Sequence, residues 1–192
     1  MRYDDLKWLC ESRCEKEEKG IKIYAPSGSN YFVNPITGNV AAAAPFLYKE
    51  VTGDFVFRAK VGLDFVSTYD AAVLLAMDHE RLWAKACFEY TDLGTHSVVT
   101  VMTNGKSDDA NGINVEGNEV WLQLARKDDI FAVHYSLDGK IYKMARLTWL
   151  PMSKTIKGGF EAQSPMGEGG MRSFEEILLV NMSLGDIRNG NM

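Results

Sequence analysis

The most constraining feature of this chain is a two-residue hydrophobic period that returns in segment after segment. In 54–61, Phe55, Phe57, Ala59 and Val61 fall on one side, while Arg58 and Lys60 fall on the other. In 82–90, Leu82, Ala84, Ala86 and Phe88 alternate with Trp83, Lys85, Cys87 and Glu89. A period of two is the signature of a β-strand, whose successive side chains point to opposite faces. The run 71–77 is apolar without interruption, as expected of a strand covered on both faces. Segments 97–103, 120–126, 130–136, 141–147, 156–164 and 174–179 read as further strands of ordinary length. No long amphipathic helix separates them, so the spacing predicts an all-β sandwich and not alternating βαβ units.

The reversals fit antiparallel neighbours. Asp138-Gly139 is the strongest short hairpin signal, and the spacing predicts a two-residue turn there. Asp128-Asp129 and the stretch 78–81 mark two more reversals. Within 1–19 the charged run Glu15–Lys19 reads as a short helix or a solvated strand edge, while 26–50 read as irregular, and 104–118 and 164–170 as polar loops. No linker divides the chain, which predicts one domain over 1–192. At 192 residues such a domain buries enough surface to need no disulfide or metal.

Charge and cysteine content narrow the partners. With 21 basic and 26 acidic residues the net charge is −5, and no basic stripe offers itself to nucleic acid. No apolar run is long enough to span a membrane as a helix. The three cysteines, Cys10, Cys14 and Cys87, form no C-x-x-C pair, which together with a non-hydrophobic start predicts a cytoplasmic protein.

Ordered motifs carry a resemblance. Tyr69-Asp70-Ala71-Ala72, Trp83-Ala84-Lys85, Phe88-Glu89-Tyr90, 97–100 and Ser107-Asp108 are followed by 121–126, Tyr135-Ser136 with Asp138-Gly139, and 158–165. This order resembles the regulation-of-enolase-type domain of unknown function, in the concanavalin A-like lectin and glucanase superfamily. The resemblance implies a jelly-roll β-sandwich of two curved antiparallel sheets. It implies no activity. The chain departs from the family pattern at Asn30-Tyr31-Phe32, where an Asp-aromatic-Trp cluster is usual.

Trp83, Lys85 and Glu89 are the leading candidates for a ligand site. They share one strand face, with Lys85 and Glu89 roughly 13 Å apart along the backbone. If the opposite apolar row is the core, they face a concave groove, where an aromatic plate, an ammonium and a carboxylate suit a carbohydrate or a phosphosugar. Lys85 is expected to hold Glu89 ionised, as an acceptor for hydroxyls. Tyr69, Asp70, Trp121 and Gln123 are the candidate neighbours. Cys87 shares the face and is read as a buried inert thiol.

Catalytic and metal templates fail. Paired acids at the spacing of a retaining glycosidase are absent from any one strand, leaving Glu161 as the conceivable cross-strand partner of Glu89. His79, His96 and His134 form no metal-ligand pair, Ser107-Asp108-Asp109 lacks EF-hand spacing, and no nucleophile elbow or phosphate loop occurs. The expectation is therefore a non-catalytic carbohydrate- or small-ligand-binding module with no cofactor or metal. The alternatives are a protein-interaction module regulating a metabolic enzyme, or a glycoside-acting enzyme with an atypical acid pair.

Overall fold

The computed structural model describes residues 5–192, and among them every regular element is a β-strand. In chain order these are β1 (Lys7–Trp8), β2 (Cys14–Lys16), β3 (Gly20–Pro26), β4 (Tyr31–Val33), β5 (Val40–Ala42), β6 (Phe46–Thr52), β7 (Phe55–Leu63) and β8 (Ala71–His79). There follow β9 (Leu82–Tyr90), β10 (His96–Asn104), β11 (Lys106–Asn114), β12 (Glu119–Lys127), β13 (Ile130–Ser136), β14 (Lys143–Trp149), β15 (Thr155–Gln163) and β16 (Gly169–Val180). The first sheet runs β1-β6-β15-β8-β9-β10-β11, the second β14-β13-β12-β7-β16-β3-β2, with every pairing antiparallel. The two pack as a jelly-roll β-sandwich.

The alternation in the sequence decides which face meets the other sheet. Leu82, Ala84, Ala86 and Phe88 of β9 join Phe57, Ala59 and Val61 of β7 and Leu122 and Leu124 of β12 in one dry layer. Phe160 bridges the layer, with ring centroids 5.2 Å from Phe57 and 4.9 Å from Phe174. β8 reads as unbroken apolar sequence because both of its faces are covered. Ala72, Leu74 and Ala76 enter the layer between the sheets, while Ala71, Val73, Leu75 and Met77 enter a second apolar cluster on the far side. That second cluster exists because a small β4–β5 hairpin lies over the outer face of the first sheet, contributing Tyr31 and Val33.

Several expectations fail at the edges. Residues 106–114, expected to lie in a loop, form β11; as an edge strand with both faces largely solvated it needs no apolar alternation. β3 and β6 lie in or beside stretches expected to be irregular or charged. The charged run from Glu15 begins in β2, an exposed strand at the edge of the second sheet, which is the strand-edge alternative and not the helix; residues 1–4 lie outside the described part. Asp138-Gly139 is not a two-residue turn, since 137–142 separate β13 from β14. Gly139 alone takes the left-handed conformation (φ 71°), while the Asp138 carboxylate accepts from the N–H groups of Lys140 and Ile141. Asp128-Asp129 does form a two-residue connection, with Asp128 at φ 54°.

Candidate functional site

Strand register brings the polar residues together. Across the first sheet Glu89 pairs with Ala71, which pairs with Gln163; Cys87 pairs with Val73, which pairs with Glu161; Lys85 pairs with Leu75 and Val101, and Val101 with Asp109. Equivalent positions on adjacent antiparallel strands share a face, so Lys85, Glu89, Glu161, Gln163 and Asp109 all rise toward the β4–β5 hairpin. Beneath it is a pocket of about 180 Å³ lined by Asn30, Tyr31, Phe32, Tyr69, Lys85, Glu89, Val101, Asp109 and Gln163.

Lys85 is almost fully buried, and its ammonium is spent inside the protein. Nζ donates to Gln163 Oε1 (2.6 Å), Glu161 Oε1 (3.1 Å) and the Tyr31 carbonyl (3.2 Å), three acceptors for three N–H bonds. Burial is the largest single effect and works against its charge, but the neighbouring groups together, Glu161 first, hold Lys85 above its ordinary range. No donor is left over for an anionic ligand, which corrects the expectation that Lys85 attracts a phosphosugar. The Tyr31 contact also ties the pocket floor to the hairpin that roofs it.

Glu89 differs from its expected state. Lys85 pairs with Glu161 instead, so burial dominates and pushes the Glu89 carboxyl up to about 8, against the pull of Lys85. Glu89 is therefore protonated at neutral pH and not held as an acceptor. Its partner is Gln163, whose Nε2 donates to Oε2 at a long 3.4 Å, and Oε1 accepts nothing from the described residues. Asp109 at the rim is likewise raised, first by desolvation. Cys87 sits fully buried among apolar neighbours, and burial raises its thiol well above the usual range, as expected of an inert sulfur.

The remaining candidates separate. Trp83 lies on the expected face but is no exposed plate: it is completely buried, edge-on to Tyr31 (6.0 Å, 68°), with Nε1 lacking a partner. Tyr69 lines the pocket in a left-handed conformation (φ 69°), held by its N–H to Tyr90 O and by its carbonyl, which accepts from Gln163 Nε2. Asp70, beside it, turns away into a buried pair with Arg172 (3.1 Å) and a hydrogen bond from Ser164 Oγ (2.6 Å), so it locks strand ends together and lines no pocket. Trp121 and Gln123 are on β12 of the other sheet and alternate away from the core. Trp121 donates to Glu176, and Gln123 lies beneath the C-terminal segment with Arg58, His134 and Gly190. They belong to the opposite side of the sandwich because Val120, Leu122 and Leu124 of that strand face inward.

Gln163, Asp109 and Asn30 are site residues that strand-by-strand reading missed, and Glu161 entered it only as a conceivable acid partner of Glu89 and not as the partner of Lys85. The signal lay in 158–163, where Glu161 and Gln163 alternate with Phe160 and Ala162 just as Lys85 and Glu89 alternate with Ala86 and Phe88. Among the described residues no group of His, Cys, Asp and Glu is arranged to hold a metal ion, and no helix is long and apolar enough to cross a membrane.

The model of a family described as proteins of unknown function, DUF1349, matches residues 8–181. The chain belongs to this family. Regulation of enolase protein 1 of Saccharomyces cerevisiae is 25% identical over 171 residues, covering 88% of this chain and 86% of that protein. A crystal structure of a functionally unknown protein from Saccharomyces cerevisiae superposes with a TM-score of 0.87 at 25% identity, over 96% of this chain and all of that one (100%). The carbohydrate-binding module CBM66 from Bacillus subtilis shares the fold at a TM-score of 0.58 and 9% identity, over 91% and 94% of the two chains. A GH43 protein from Bacillus licheniformis shares it at 0.70 and 12% identity, over 93% of this chain and 37% of that one. The DUF1349 sandwich described here thus has its fold in common with sugar-binding and sugar-cleaving proteins of very low identity.

Proposed function

We propose that this DUF1349 protein is a non-catalytic binding module that holds one small, hydroxyl-rich molecule, of the size of a sugar unit, beneath the β4–β5 hairpin. The observation that carries this reading is the pocket itself: a roofed cavity on the outer face of the first sheet, where a nearly buried Glu89 keeps one oxygen without a partner. A few polar groups converging on a roofed cavity, one of them with an oxygen left open, is the ordinary form of a small-ligand site. Tyr69 and Phe32 supply ring surface and Asn30 both a donor and an acceptor, the mixture that sugars require. The shared fold of a carbohydrate-binding module supports the class of ligand.

Binding without turnover is favoured by the acids. Hydrolysis of a glycoside needs two carboxyls whose environments separate them into acid and base. Here Glu89 and Asp109 are both pushed upward, and Glu161 is locked against Lys85. The test is a panel of monosaccharides and sugar-like metabolites measured by calorimetry, with Tyr69→Ala beside the unaltered protein, and with product analysis of each mixture. Saturable binding lost in the variant, without products, is the expected result; no binding across the panel, or release of products, would overturn the reading.

A second reading is a module that acts on a cytoplasmic metabolic enzyme through protein contact. It is favoured by exposed Leu147 and Trp149 on β14, with Leu137 and Ile141 in the preceding loop, and by the name of the yeast relative. Binding of a purified enolase that survives Tyr69→Ala but is lost in Trp149→Glu would support it over the first.

A further inference from the structure

We infer that the molecule held in this pocket carries a protonated amine beside its hydroxyls, as an amino sugar does; the inference rests on the reading of the pocket as a ligand site.

The argument is an account of the hydrogen-bonding capacity left unused. Lys85 has no donor free, its three N–H bonds being taken by Tyr31 O, Glu161 and Gln163. Gln163 is committed as well: its oxygen to Lys85, its nitrogen to the Tyr69 carbonyl and to Glu89. The Tyr31 hydroxyl is occupied by Cys10. The lining groups not committed in this way are Glu89, whose Oε1 accepts nothing from the described residues, Asp109, whose carboxylate accepts from the Ala110 N–H, Asn30 and Tyr69. Two of these four are acids, and the cation on the pocket wall is already matched by Glu161. A pocket of that composition asks for a donor-rich ligand with positive charge.

Electrostatics agree with the count. The groups facing Glu89 are Lys85 and Cys87 on its own strand, Glu161 from β15, Asp109 from β11, Asp92 from the 91–95 turn, and Tyr69; Ala71 and Ser97, opposite it on β8 and β10, do not titrate. Apart from Lys85, every charge in this set is negative or becomes so. An anion entering here would meet a set of acidic neighbours, and a neutral sugar would leave Glu89 in its protonated, uncharged form. An ammonium would ionise Glu89, occupy Oε1, and lie among the rings of Phe32 and Tyr69, where cations are attracted to the aromatic face.

Proton linkage gives the inference its own readout. At pH 6 only about 1% of Glu89 is ionised in the empty pocket and at pH 7 about 9%, taking its carboxyl at about 8. Binding that requires the ionised form should therefore tighten about tenfold from pH 6 to pH 7. Calorimetry of the full chain with glucosamine, glucose, N-acetylglucosamine, glucose 6-phosphate and Nα-acetyl-lysine amide is the experiment. Glucosamine is expected to bind at least about tenfold tighter than glucose or N-acetylglucosamine at pH 7, with the pH trend above and proton release to the buffer. Glu89→Gln, which keeps the shape of the side chain, should abolish both the preference and the trend; a thermal melt confirms that it folds. Glucose or glucose 6-phosphate binding as tightly as glucosamine would overturn the amine and leave the sugar pocket standing. Tighter binding of the lysine amide would overturn the sugar assignment, and no binding by any of the five would overturn both readings.

Discussion

Replacing Lys85 by Met tests the polar floor of the pocket most directly. Met keeps most of the length and apolar stem of Lys85 but removes the ammonium and its three hydrogen bonds. Glu161 suffers most, because its Oε1 loses the Lys85 donor, Oε2 already has none among the described residues, and the side chain is fully buried. Removing one partner of a buried pair costs about 3 to 5 kcal/mol, since an uncompensated charge is left in the interior. For a domain of this size that lowers the melting temperature by roughly 6 to 20 °C. The penalty has a definite pH sign. An unpaired buried Glu161 would titrate above its unfolded value, so stability is retained below about pH 4.5 and lost as pH rises through the folded-state value. Adding Glu161→Leu should recover at least about 2 kcal/mol of the loss near pH 7.5, leaving only the orphaned Tyr31 and Gln163 oxygens. Urea unfolding of the two single variants and the double variant gives the coupling energy directly. A Lys85→Met cost below about 1 kcal/mol at pH 7.5, or no recovery in the double variant, would refute the buried pair as the organiser of this face.

The remaining predictions concern other parts of the fold. Phe88→Ala should cost about 3 to 5 kcal/mol, because Phe88 is completely buried between the sheets and meets Phe65 edge-on at 4.9 Å; a loss under about 1 kcal/mol in denaturant would reverse the assigned faces of β9. Glu89, raised in the folded state to about 8 from 4.5, contributes stability that is complete below about pH 4.5 and declines toward pH 8; the unfolding free energy of Glu89→Gln relative to the unaltered protein should therefore improve steadily from pH 5 to pH 8, and parallel curves would refute the burial of this carboxyl. Gly139→Asn should cost about 1 kcal/mol or more despite the tolerance of Asn for left-handed backbone, because a Cβ there lies 2.9 Å from the Trp121 ring, and Gly139→Val should cost more; melts of Gly139→Asn indistinguishable from the unaltered protein would show that the indole swings aside freely.

What could be read from the sequence follows from burial. β8 and β9 were legible because their apolar periods are set by two dry layers, and the common face of Trp83, Lys85 and Glu89 followed from the same alternation. What covers that face was not legible. The hairpin that buries Trp83 is built from three-residue strands in a stretch containing Pro26, Pro35 and Pro45, too short to show a period. β11 was taken for a loop because an edge strand in water has no reason to alternate. The pairing of Lys85 with Glu161 instead of Glu89 is a matter of cross-strand register, which no single strand encodes; two strands from distant parts of the chain had to be placed side by side first. Asp70 was misassigned for a related reason, since its partner Arg172 comes from β16, about a hundred positions further on.

The β4–β5 hairpin changes what kind of molecule this face can admit. An open sheet face is a trough, and a polymer can lie along a trough and be gripped at any point of its length. With Tyr31, Phe32 and Val33 seated across it, and Tyr31 tied through its carbonyl to Lys85, the trough becomes a socket. A socket reads ends and single units, because a chain has no way to pass through. Lengthening or shortening the segment between Pro26 and Phe46 would then alter the size of the permitted guest without touching the strands that recognise it.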